Sequence, residues 1–216
     1  MAVPRRSSAA RPPLAVAATA AAAVLGLTLT AAGQTARDHA FTSEERRALR
    51  AGRLVRRPRQ HRRGGFRYIG GTSWQRVRAP RRDVWAVVLD VRNYPQLIPA
   101  VSEARVVQDR GARRLLFLSH RMSLAQVSYF AWAEVDATSR TIRFELDRSR
   151  PHDVRDGRGF LTVDAYGAEA SIVTWGVMAD PGVGVLTGLI GPSLQDWILR
   201  VPWCLRGMVE HRAPGC

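Results

Sequence analysis

Beyond Ser73 the hydrophobic and polar positions mostly alternate, and only two long stretches show helical spacing. Ser73 to Ala79 alternates and predicts a strand. Pro80 suits a first helical turn, and Val84, Val87, Val88 and Val91 then fall at helical spacing, which predicts a helix over 80–91. Asn93-Tyr94-Pro95 breaks it, and one further helical turn fits Gln96 to Ile98 before Pro99. Strand patterns follow at Glu103–Gln108, Arg113–Ser119, Ala125–Val135, Thr141–Leu146, Gly159–Asp164 and Ala170–Met178. Arg110-Gly111, Asp136-Ala137-Thr138, Asp156-Gly157 and Tyr166-Gly167 read as turns between them. Connections this short predict an antiparallel meander, because parallel neighbours need crossovers of about a dozen residues or more. A final helix over 192–212 carries Leu194, Trp197, Ile198, Val201, Leu205 and Met208 on one stripe, with a kink expected at Pro202.

The order strand, two short helices, six strands, long helix predicts an α+β fold. A curved antiparallel sheet of about seven strands must cover its apolar face, and only the last helix is long enough to do so. A sheet wrapped around a helix leaves a cavity between them, a place where apolar ligands sit. Ile142, Phe144 and Leu146 share one strand face while Arg143, Glu145 and Asp147 share the other, so the apolar set is expected to point inward. The Val173, Trp175 and Val177 face is taken as inner in the last strand, and Leu161 and Val163 are placed in the same way. From the helix Trp197, Ile198 and Val201 face them, and Tyr94 and Ile98 sit at the cavity mouth. The candidate ligand-contacting residues are therefore Tyr94, Ile98, Phe144, Leu161, Val173, Trp175, Trp197 and Val201. An inward apolar residue is more often core than ligand contact, so each of these also has a plain packing role. The glycine-rich loop over 182–191 carries Val183, Val185, Leu186, Leu189 and Ile190, and reads either as an apolar gate or as a loop packed over the core.

The run VRAPRRDVWAVVLDVRNYPQLIPAVSEARVV resembles the opening of the START-like, or SRPBCC, superfamily. Within it, the resemblance is to the polyketide cyclase/dehydrase and coenzyme Q-binding group. Ala79-Pro80, Val84-Trp85, Asp90, Tyr94-Pro95 and Ile98-Pro99 carry it. So do the Asp136 turn after a long strand, Gly159 opening a strand, and Val201-Pro202 in the last helix. The resemblance covers roughly residues 70–212. It implies the helix-grip fold with a hydrophobic pocket, in a superfamily of lipid and sterol carriers, quinone-binding proteins, aromatases and cyclases, and a ribosome-binding group. A START-like ligand-binding domain is accordingly expected over 67–212, with a tail over 213–216.

The N-terminal third departs from that family. Arg5, Arg6 and Arg11 precede a 19-residue uncharged run from Leu14 to Ala32, followed by small residues that suit signal peptidase. Residues 1–36 therefore read as a secretory signal peptide, with an uncleaved membrane anchor as the alternative and a disordered alanine-rich extension as a third. The twin-arginine hint at Arg5-Arg6 is weak, because apolar residues do not follow it. Export, with the protein periplasmic or attached to a bacterial inner membrane, is the expected location.

Charge sharpens this. The formal charge is +15, and residues 37–64 alone hold ten arginines against three acids. Phe41 to Leu54 predicts a short helix with Thr42 or Ser43 as cap, Glu44 and Glu45 in its first turn and Gly52 at its end. The rest of 37–66 reads as a basic, arginine-rich linker. Arg46–Arg63 can lie against an anionic membrane surface, each arginine contributing about 1 kcal/mol near the headgroups. Such charge opposes translocation, but residues 37–45 carry one arginine against three acids and separate it from the apolar run. Nucleic acid is the weaker partner, since no aromatic residues interleave to stack on bases.

Candidate chemistry is sparse. Lysine is absent from the chain, which excludes Schiff-base and P-loop lysine mechanisms. Cys204 and Cys216 are too few for a disulfide scaffold or a structural zinc site, and their pairing is open. His120 and His152-Asp153 show no metal-ligand spacing and are expected at the surface. No nucleophile elbow surrounds Ser171 or Thr174. No catalytic residue, metal or cofactor is expected. The leading expectation is carriage of an apolar small molecule, a lipid or quinone. The rivals are a polyketide cyclase/aromatase-like enzyme using the same pocket, and a cytosolic macromolecule-binding protein acting through the arginine strip.

Overall fold

In the computed structural model, which describes residues 41–122, 125–182, 191–211 and 216, the first element is helix α1 (Ser43–Arg50). Thr42 caps it: its hydroxyl accepts the Glu45 N–H at 3.1 Å, while the Glu45 carboxylate accepts the Thr42 N–H at 2.8 Å. The leader expected over 1–36 lies outside the described residues.

The arginine run expected as a linker is instead strand β1 (Val55–Arg63), paired along its whole length with β2 (Phe66–Val77). Gly64 and Gly65, at φ 56° and 80°, make the hairpin turn. The strand escaped hydrophobic alternation because it lies at the sheet edge, with arginines on both faces and Pro58 within it. Edges tolerate both, and charge there discourages pairing with another chain. Helix α1 packs on this hairpin: Leu49, Val55, Trp74 and Ile172 form a small buried cluster, with the Phe41 ring edge-on to Trp74 at 5.5 Å. The folded unit thus includes part of the stretch expected to be linker.

Helix α2 (Arg81–Leu89), a 3-10 turn (Val91–Asn93) and α3 (Tyr94–Leu97) cross from β2 to β3 (Val101–Arg110). The meander continues through β4 (Arg113–Met122), β5 (Ala125–Asp136), β6 (Thr141–Leu146), β7 (Asp156–Ala165) and β8 (Ser171–Asp180). Strand β8 returns to pair with β2. Among the described residues the result is one antiparallel sheet of eight strands, ordered β1-β2-β8-β7-β6-β5-β4-β3, against about seven expected. Asp156-Gly157, expected as a turn, opens β7. There the Asp156 carboxylate accepts the Tyr68 hydroxyl and the Arg148 guanidinium, which ties the strand end to β2. The curved, unclosed sheet with helices against its inner face is the helix-grip arrangement.

The main core fills that inner face, with Val77, Val84, Val163, Val173, Leu199 and Leu205 fully buried. Burying side chains of this size contributes about 1.5–3 kcal/mol each. The expected long C-terminal helix is two helices, α4 (Gly191–Ile198) and α5 (Val201–Val209). Pro202 has no N–H to give the Ile198 carbonyl four residues earlier, so the helix breaks one turn before the proline rather than bending at it. Gln195 holds α4 to the sheet, its amide donating to the carbonyls of Gly70 at 2.7 Å and Arg59 at 2.9 Å. On α5, Arg206 donates to the Gly52 carbonyl and pairs with Glu210 at 3.1 Å. Cys204 is disulfide-bonded to Cys216, whose N–H reaches the Gln96 carbonyl of α3 at 2.9 Å.

Candidate functional site

A cavity of about 210 Å³ lies between the inner sheet face and the two C-terminal helices. It exists because β5 turns two small residues, Ala131 and Ala133, towards that space, where larger side chains would fill it. Tyr94, Ile98, Phe144, Leu161, Trp175, Trp197 and Val201, all selected from the sequence, line it. Val173 does not. It sits between Gln75 and Val163 in the sheet register, all three fully buried, where the sheet is packed solid and leaves no space for a ligand.

The wall is held by specific contacts. Phe144 and Trp175 stack at 4.9 Å with their planes 25° apart. The Trp175 indole N–H donates to the Ile198 carbonyl at 2.9 Å, which joins β8 to the end of α4. Gly159 on β7 leaves room for Phe144, because a Cβ there would run into that ring and into the Gly176 carbonyl.

His120 corrects the sequence reading. Expected at the surface, it lies in the cavity wall, on the same face of β4 as Leu116 and Leu118. Its Nε2 is 2.9 Å from the Tyr129 hydroxyl and its Nδ1 is 3.3 Å from the Pro99 carbonyl. Tyr129 comes from β5, beside Val127, which is the register partner of His120, so the two rings meet diagonally across the strand pair. They stack at 5.5 Å and 19°, and Trp197 closes on His120 at 6.2 Å. The period-two pattern Leu116, Leu118, His120 was the signal that could have placed this histidine inside. His152 is exposed in a loop, as expected.

No arginine or carboxylate is among the cavity's described lining residues. Burial pushes the Tyr94 hydroxyl up to about 12 against a small opposing effect of Arg114, and burial also raises Tyr129. Burial pushes His120 below the ordinary histidine value, with the Pro99 carbonyl opposing it, so the imidazole is neutral at pH 7. Among the described residues no group of three His, Cys, Asp or Glu could hold a metal ion. Residues 183–190 of the glycine-rich loop, where the apolar gate is expected, lie outside the described residues.

The arginine strip is partly engaged. Arg57 makes a two-point contact with Glu45 at 2.8 and 2.7 Å, and Arg56 pairs with Asp196 at 2.9 Å. Arg59, Arg62 and Arg63 are exposed on β1.

The family described as polyketide cyclase / dehydrase and lipid transport matches residues 77–192. A Thermus thermophilus protein is similar in structure, at 18% identity and a TM-score of 0.56, over 66% of this chain and 97% of that one. The Zhui aromatase/cyclase of Streptomyces sp. R1128 is similar at 16% identity and 0.54, over 73% of this chain and 96% of its own. A STAR-related lipid transfer protein of Xanthomonas axonopodis is similar at 14% identity and 0.53, over 71% of this chain and 98% of that fragment. Identities this low carry the fold alone. No curated protein matches the chain.

Proposed function

The chain belongs to the polyketide cyclase/dehydrase and lipid transport family, and from that premise we propose that it binds an apolar small molecule in the cavity between sheet and C-terminal helices. The observation that carries this reading is the composition of the wall: among its described residues the side chains are aliphatic or aromatic, and their polar atoms are those of one histidine, two tyrosines and two tryptophan indoles. An apolar ligand gains about 25 cal/mol for each Å² removed from water. Size narrows the class. Cavities of about 150 Å³ hold benzene, so about 210 Å³ suits a small ring system or a stretch of one chain, and two acyl chains need a wider space.

The proposal includes export and attachment at a membrane that supplies the ligand. The Cys204–Cys216 disulfide supports an oxidising compartment, and the exposed Arg59, Arg62 and Arg63 support an anionic surface as neighbour. A second reading, a cyclase-type enzyme using this pocket, is favoured by His120 and Tyr129, since acid–base chemistry needs titratable groups converging on a cavity.

The test is native mass spectrometry of the full chain purified from cells, followed by extraction. The expected result is a co-purifying apolar molecule, lost in Ala131→Phe, which fills the cavity. A protein that emerges empty and takes up no added apolar probe overturns the binding reading. A molecule recovered chemically altered after incubation moves the enzyme reading ahead.

A further inference from the structure

The polar corner of the cavity has a direction. A carbonyl can only accept a hydrogen bond, so the contact between His120 Nδ1 and the Pro99 carbonyl places the ring hydrogen on Nδ1. A neutral imidazole carries one N–H, so Nε2 is then a bare lone pair and accepts from the Tyr129 hydroxyl at 2.9 Å. Tyr129 has one proton, and that proton is committed to the histidine. Its oxygen is left with lone pairs and no donor among the described residues, and Tyr129 is one of the residues that line the apolar cavity. The stacked rings of His120 and Tyr129, with Trp197 against the histidine, hold this orientation. Burial keeps the imidazole neutral and the phenol protonated, consistent with the same direction.

We propose that the Tyr129 oxygen is a built hydrogen-bond acceptor for the ligand, so that the cavity selects apolar molecules carrying an O–H or N–H over the same molecules without that hydrogen. This rests on the cavity-binding reading above and names its ligand class: phenols, quinols and alcohols rather than quinones, ethers or carboxylate anions. Anions are disfavoured further because no cationic side chain is among the described lining residues. Tyr94 supplies another hydroxyl on the wall, but a phenol can donate or accept, so it imposes no preference of its own. Specificity of this kind is strong because an acceptor buried without its donor is penalised, whereas a slightly smaller or larger apolar body is tolerated.

The experiment compares 2-naphthol with 2-methoxynaphthalene, similar in shape but differing in the donor, binding to the full chain at pH 7.5 by titration calorimetry. The expected result is about fivefold to tenfold tighter binding of the naphthol, the effect of one net hydrogen bond. In the double variant Tyr129→Phe/His120→Leu, which removes the phenol oxygen together with the Nε2 lone pair that Tyr129→Phe alone would uncover, the ratio falls to about one, through weaker naphthol binding. In His120→Leu the Tyr129 proton is released to face the cavity, so the ether gains and the ratio shrinks. Equal affinities for the unaltered protein, or a ratio that survives the double variant Tyr129→Phe/His120→Leu, overturn the acceptor while leaving the cavity reading in place. Failure of both probes to bind overturns the cavity reading and the acceptor with it.

Discussion

The indole N–H of Trp175 donates to the carbonyl of Ile198 at 2.9 Å, and this is the carbonyl that Pro202 leaves without its helical partner. A residue on the last strand thereby satisfies the break in the C-terminal helix, and the same ring stacks on Phe144 in the cavity wall. Trp175→Phe keeps the stack and removes the donor. It should destabilise the protein by about 1–2 kcal/mol, read by urea unfolding followed by far-UV circular dichroism. In Pro202→Ala the restored N–H of residue 202 can serve Ile198, so Trp175→Phe should cost less in that background. Equal costs in the two backgrounds would mean that the carbonyl is not what the indole satisfies.

His120 makes stability depend on pH. Its folded value is lowered, chiefly by burial, so below the ordinary histidine range the unfolded chain binds a proton that the folded protein resists. The contribution is complete above about pH 6.5 and declines as pH falls from there through the folded value. His120→Gln should flatten the urea midpoint between about pH 7 and 5, and a midpoint that stays equally steep would show that another group is responsible.

Glu45 acts on the acid side of the stability profile. The Arg57 guanidinium, against an opposing effect of burial, holds its carboxyl down to about 2 from an ordinary 4.5. A lowered folded value means that the stabilisation is present above about pH 4.5 and lost as pH falls towards 2. The Arg57 side chain is 41% exposed, so solvent screens the pair and its worth is about 1 kcal/mol at most. Glu45→Gln should remove that acid-limb loss and weaken the capping box; an unchanged acid limb would refute the pairing as its source.

Gly159→Ala tests the cavity wall from behind. The new Cβ meets the Phe144 ring and the Gly176 carbonyl, and the backbone cannot yield without disturbing the β7–β8 pairing. Overpacking of this kind costs about 1–3 kcal/mol, and in a chain of this length each kcal/mol lowers Tm by about 2–4 °C. Uptake of apolar probes should fall as well, because Phe144 is pressed towards the cavity. Normal stability with normal uptake would place Phe144 elsewhere.

The strands from β2 to β8 were legible wherever one face is apolar and the other polar. Thr141–Leu146 alternates over the bounds the strand has, which turns Phe144 inward, whereas alternation in β8 leaves two faces to choose between and the Trp175 face is the one that lines the cavity. Strand β1 was not legible, since an edge strand rich in arginine has no apolar face and its pairing with β2 is a backbone property. His120 falls one residue beyond the strand expected over Arg113–Ser119, and only the extension of β4 to Met122 carries the alternation of Leu116 and Leu118 on to it.

By itself the sequence determined the α+β order, the antiparallel meander and most of the inner face, because periodicity is local and records which side of each element meets the core. Only the tertiary structure decided that Val173 is packed while Trp175 borders space, that Trp175 completes a helix broken by Pro202, and that His120 and Tyr129 meet. Those facts depend on register between strands and on volume left unfilled between sheet and helices, and neither is written in the spacing of residues along one segment.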